Sequence, residues 1–81
     1  MPRSSNSRFL EPSANARLSR REREILQWVA YGKTSYEISI IVGLSERTVN
    51  FHVAGAIAKL NAANRTHAAV KAALMGLITV D

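Results

Sequence analysis

Apolar residues recur along this chain at intervals of three and four, in four blocks divided by glycine, asparagine and hydroxyl residues, which is the pattern of packed helices. Ile25, Leu26, Val29 and Ala30 form the first block. They follow "SRRE", in which the Ser19 hydroxyl can accept from the N–H of Glu22 and the Glu22 carboxylate can return to Ser19. This capping box predicts a helix over about 20–31. Gly32 then stands where a left-handed residue ends a helix. Thr34 and Glu37 repeat the box and predict a helix over 35–42 whose apolar face is Ile38, Ile41 and Val42, with Gly43 as its stop. Ser45 caps a third helix over 46–60, and Leu44 before it is placed to staple onto Val49. After "NAAN" a fourth helix over 65–75 starts a block of Ala68, Ala69, Ala72, Ala73 and Leu77, with Gly76 as its stop. The expected fold is all-α, a four-helix, bundle-like arrangement of residues 18–81.

The third helix, "ERTVNFHVAGAIAKL", is the most informative on a helical wheel. Val49, Val53, Ala56, Ile57 and Leu60 fall on one side and make the core stripe. Phe51 and Gly55 lie opposite. Arg47, Ala54 and Ala58 flank that outward line on one side, and Thr48, His52 and Lys59 on the other. An outward phenylalanine without apolar neighbours is costly to leave in water, so a partner should cover it. Gly55 inside a helix costs about 0.5–1 kcal/mol relative to alanine, and nothing nearby in the sequence accounts for it.

Composition narrows the classes. With 81 residues and no cysteine, the chain has room for one small domain with neither disulfide nor thiolate metal site. Eleven Lys and Arg against six Asp and Glu give a net charge of +5, which favours a polyanionic partner. His52 and His67 lack ligand-type neighbours at metal spacing, and no nucleophile–base or acid pair recommends an enzyme. No cofactor is expected. "GKTS", Gly32 to Ser35, matches the end of a nucleotide phosphate loop, but the earlier glycine and the preceding strand that such a loop needs are lacking. Residues 1–17, rich in Ser, Asn and Pro, have linker composition and are expected to be a flexible tail. No stretch is long and apolar enough to span a bilayer, and there is no signal-peptide core, so a cytoplasmic location without membrane contact is expected.

A short helix, a three-residue turn with glycine, and a longer capped helix with a polar, basic outer face is the helix-turn-helix arrangement, whose second helix enters the DNA major groove. The stretches "LSRREREILQWVAYGKTSYEIS", "GLSERTVNFHV" and "KLNAANRTHAAVKAALMGLI" resemble the four-helix DNA-binding domain of LuxR-type transcription regulators. The form "GKT…ERTVNFH…NRTHA" with Trp28 is most similar to the quorum-sensing branch. The resemblance implies that an acyl-homoserine lactone would act only through a sensory domain that this chain does not include. The same fold also serves as the output domain of two-component response regulators and as small stand-alone regulators. A protein-interaction module using the same helices is a further, weaker reading.

The resemblance implies that Glu22, Leu26 and Gly32 are structural, in agreement with their reading as cap, core and C-cap. It places Asn50, Phe51 and Ala54 at base edges, to which Arg47 is added from the wheel. Relatives often carry Lys or Arg where this chain has Asn50 and Ala54. Asn can pair bidentately with adenine, and Phe or Ala can meet a thymine methyl. Lys33 and Thr34 at the second helix's N-terminus, with Ser45, Thr48, His52, Lys59 and Arg65, are candidates for DNA phosphate; a plain solvated face is the alternative. Trp28 is read as partial core. Val70, Leu74 and Met75 either finish the core or join two copies into a homodimer on double-stranded DNA. RNA polymerase is a further expected partner.

Overall fold

The computed structural model describes residues 17–80, and the expected tail over 1–17 lies almost wholly outside them. Among the described residues there are four helices: α1 Arg20–Ala30, α2 Ser35–Val42, α3 Glu46–Leu60 and α4 Arg65–Leu74. Each begins at the hydroxyl or amide side chain that its sequence supplies. Ser19 and Thr34 both form complete capping boxes, with Glu22 and Glu37 respectively, and Ser45 and Asn64 accept from the N–H groups of Thr48 and His67. The ends are equally local. α1 closes on Tyr31, after which Gly32 takes φ +86°, and Gly43 ends α2 at φ +75°. Asn61 ends α3 in the left-handed region at φ 54°, which asparagine tolerates better than most side chains. The Lys71 ammonium donates to the carbonyls of Leu60 (3.0 Å) and Asn61 (3.1 Å), placing a cation at the negative end of α3.

Two adjoining clusters make the core. Leu26, Ala56, Leu60, Ala68 and Ala72 are buried where α1, α3 and α4 meet; the alanines let these backbones approach closely. Ile25, Ile38, Val49 and Val53 join α1, α2 and α3, with Trp28, Val42 and Leu44 half-buried around them. Trp28 is thus partial core, and Leu44 lies in the same cluster as Val49, as a staple requires. Leu18 and Ile78 close the bundle from the segments before α1 and after α4. The latter segment is tied across α1 by Gln27, whose amide donates to the Thr79 carbonyl and accepts from the Thr79 N–H (3.0 Å).

One apolar assignment is corrected. Ile41 is 44% exposed rather than core, alongside exposed Tyr36 and Ile40. On a helix, Ser35 and Val42 lie to one side of Ile38 and Ile41 to the other. The buried arc runs Ile38–Val42–Ser35, because Ser35 is drawn inward by hydrogen bonds to α3 and α4. Met75 caps α4 and packs half-buried against the first cluster, so it does not share the outward position of Val70 and Leu74.

Candidate nucleic-acid interface

α2, the three-residue turn Gly43-Leu44-Ser45, and α3 pack through Ile38, Val42, Leu44, Val49 and Val53, leaving the opposite face of α3 open. Phe51 is 74% exposed on that face, and Arg47, Asn50 and Ala54 are exposed around it. The ring of His52, half-buried, meets Phe51 edge-on at 5.8 Å between centroids, which steadies an aromatic side chain that the core does not hold. Arg47, Asn50, Phe51 and Ala54 therefore form one patch, concentrated in the first two and a half turns of α3.

The polar residues around the patch divide into free and committed groups. Lys33 and Thr34 are exposed at the start of α2, but the Thr34 hydroxyl already accepts from the Glu37 N–H at 3.1 Å. The Glu37 carboxylate accepts from the Thr34 N–H (2.8 Å), and that backbone hydrogen bond above all holds it below the usual carboxylate range. Ser45 Oγ accepts from the Thr48 N–H (3.0 Å) and donates to Thr48 Oγ1 (2.9 Å), which leaves the Thr48 proton as the outward donor of the pair.

Lys59 and Arg65, expected to meet phosphate, also have partners within the fold. Lys59 Nζ donates to Glu22 Oε1 (2.9 Å) and to the Arg17 carbonyl (3.2 Å). Arg65 Nη1 donates to Ser35 Oγ (2.6 Å) and its Nη2 is buried. Both cations are used inside the fold. Burial pushes the Glu22 carboxyl up, but the hydrogen bond and charge of Lys59 and the hydrogen bonds of Ser19 outweigh it, and the group titrates below its ordinary value.

The same carboxylate accounts for Gly55. A Cβ built there would stand 2.6 Å from Glu22 Oε2, inside contact distance. Glu22 is fixed by Ser19 and Lys59 and has little freedom to yield, so α3 carries glycine where α1 begins. Glu22 and Leu26 are buried, at 7% and 0% exposure, as cap and core. Ser35, which sequence reasoning passed over, is the buried polar residue linking α2 to Asn50 on α3 and Arg65 on α4. A serine one position inside a capped helix gives no sign of this, since its partners lie 15 and 30 residues away.

A short helix and a capped second helix crossing one core, with an aromatic and polar face turned outward, define a helix-turn-helix domain. The family model for bacterial regulatory proteins of the luxR family matches residues 16–72, and the chain belongs to that family as its DNA-binding domain. The transcriptional repressor ThaA of Burkholderia thailandensis is 55% identical over 69 residues, which is 85% of this chain and 29% of that protein. The quorum-sensing regulator RhlR of Pseudomonas aeruginosa is 59% identical over 61 residues, or 75% of this chain and 25% of that protein. This chain thus spans less than a third of each. Among solved structures, the transcription factor GerE superposes with a TM-score of 0.75 at 34% identity, covering 79% of this chain and 96% of that one. Escherichia coli SdiA gives 0.72 at 52% identity, covering 82% of this chain and 27% of that one. No helix among the described residues is long and apolar enough to cross a membrane.

Proposed function

We propose that this chain is the output domain of an acyl-homoserine-lactone-responsive quorum-sensing regulator, which places α3 in the major groove of two-fold symmetric promoter sites. The observation that carries the DNA-reading part is the outward patch of Arg47, Asn50, Phe51 and Ala54, with Phe51 at 74% exposure on a helix whose other side is core. Such a face has the dimensions and chemistry of a recognition helix. Lys33, Thr34 and Thr48 flank it and supply donors to phosphate; Ser45 acts by setting Thr48. The quorum-sensing part draws on RhlR, named for that role, at 59% identity, against 34% for the transcription factor GerE. Signal recognition in this reading belongs to residues outside this chain. The domain itself performs no catalysis and acts in the cytoplasm.

Pairing on DNA completes the proposal. Val70 and Leu74 are 50% and 78% exposed on α4 and border a groove of about 250 Å³ with Val29, Ala30, Ala69 and Ala73. One helix-turn-helix unit makes few contacts, and two copies read half-sites about one helical turn apart. Titration of half-site and palindromic duplexes tests this. The palindrome should bind more tightly, and Val70→Glu with Leu74→Glu should remove most of that advantage while leaving the half-site affinity little changed. Equal wild-type affinity for both duplexes would rule out pairing, and equal affinity for every sequence would rule out specific reading.

A further inference from the structure

Ser35, Asn50 and Arg65 come from three different helices and meet behind the outward face of α3. Arg65 Nη1 donates to Ser35 Oγ at 2.6 Å, and the Ser35 hydroxyl donates to Asn50 Oδ1 at 2.6 Å. A guanidinium is only ever a donor, whereas a hydroxyl has one proton and two lone pairs. With Arg65 on a lone pair and Ser35 buried at 8% exposure, the Ser35 proton is directed to Asn50, which fixes the amide with its oxygen inward. Arg65 Nη2 is buried with no partner among the described residues, so no competing acceptor draws the guanidinium away from Ser35.

We propose, on the reading that α3 enters the major groove, that Asn50 meets DNA through its Nδ2 donor alone and that Ser35 and Arg65 are the positioning residues that withhold its oxygen. Bidentate recognition of adenine needs the asparagine oxygen for N6–H and its nitrogen for N7. A lone donor meets N7 of either purine, O6 of guanine or O4 of thymine, and finds no acceptor on cytosine. The base facing Asn50 is therefore not read as adenine alone: adenine, guanine and thymine are all accepted, and cytosine, which presents only a donor, is disfavoured. Freeing the oxygen would narrow it.

Selection of duplexes from a random library tests this with the full chain and its Asn50→Ala, Ser35→Ala and Asn50→Asp variants, each checked for folding by thermal melting. The position at which Asn50→Ala relaxes the selected profile marks the pair that Asn50 faces. In the unmodified protein, adenine and guanine there should differ by less than about threefold. Ser35→Ala should raise the preference for adenine to about tenfold or more, the range of a bidentate pair. Asn50→Asp keeps the acceptor for Ser35 and removes the donor, so it should turn the preference toward bases that present an amino group, cytosine above all. The ratio of adenine to guanine selected by the unmodified protein decides the matter if Ser35→Ala does not fold. Rejection of guanine by more than tenfold in the unmodified protein, or an Asn50→Ala profile identical to wild type, overturns the proposal while leaving DNA reading intact. A folded wild-type protein that selects no sequence overturns the DNA reading itself, and the proposal with it.

Discussion

The two halves of α3 are built from similar residues and do opposite things. From Glu46 to Ala54 the helix turns Arg47, Asn50, Phe51 and Ala54 to the outside and is held by its other face alone. From Gly55 to Leu60 it is pressed against α1: Gly55 lies under the Glu22 carboxylate, and Lys59 is bound to that same carboxylate. A lysine near the end of a basic helix and an arginine near its start look alike as charges. One is a clamp and the other is available to a ligand. Net charge therefore overstates the surface offered to a polyanion, because Lys59, Arg65 and Lys71 are all engaged within the fold.

The largest effect that separates the halves should come from Glu22→Ala. It removes the return half of the α1 capping box and leaves Lys59 without its carboxylate, and chemical denaturation should show a loss of about 2 kcal/mol. The same group sets an acid dependence. Its carboxyl titrates lower folded than unfolded, so its contribution is complete above the unfolded glutamate range and fades as pH falls through the folded value. Stability followed against pH should flatten in that acidic window in Glu22→Gln. An unchanged profile would mean that the clamp contributes nothing.

Phe51→Ala probes the other half. DNA affinity for a selected site should fall about tenfold, or ~1.4 kcal/mol, while stability stays within about 0.5 kcal/mol. A drop in melting temperature of many degrees would place Phe51 in the core and refute the division of α3.

Gly55→Ala gives a smaller and more diagnostic change. Alanine gains about 1 kcal/mol of helix propensity, yet its Cβ displaces the Glu22 carboxylate, and we expect a net loss of about 1 kcal/mol. In the Glu22→Ala background the same change should become stabilising. Stabilisation in both backgrounds would show that the close approach is harmless.

The smallest contrast is between two lysines. Lys33→Ala should weaken binding to specific and random duplexes by similar factors and lower the salt slope by about 1, without loss of stability. Lys59→Ala should lower stability by under about 1 kcal/mol, since its ammonium is partly exposed.

The caps, stops and core stripe were legible because each is settled by residues within one helical turn. Ser19 with Glu22, Thr34 with Glu37 and the left-handed glycines depend on no distant partner. Phe51 was legible for a related reason, since the wheel alone puts it opposite Val49 and Val53. What escaped depends on other helices. Gly55 answers to Glu22 on α1; Ser35 is turned inward by Asn50 and Arg65, and with it Ile41 is turned out. The direction of a long cationic side chain was least legible, because its reach lets Lys59 find a carboxylate 37 residues away. Helical periodicity says which way Cβ points and nothing about where an ammonium ends.

For anyone extending or trimming this chain, Gln27 sets the working boundary. Its amide does for Thr79 what a neighbouring strand would do, with one donor and one acceptor answered in register, in a molecule otherwise held by helices. A fusion joined after Thr79 keeps that rung and the buried Ile78 before it. Cutting back to Leu77 removes both and opens the flank of α1 to solvent. A nested set of carboxyl-terminal deletions should therefore lose melting temperature in a step that spans Thr79 and Ile78, and not in proportion to the residues removed.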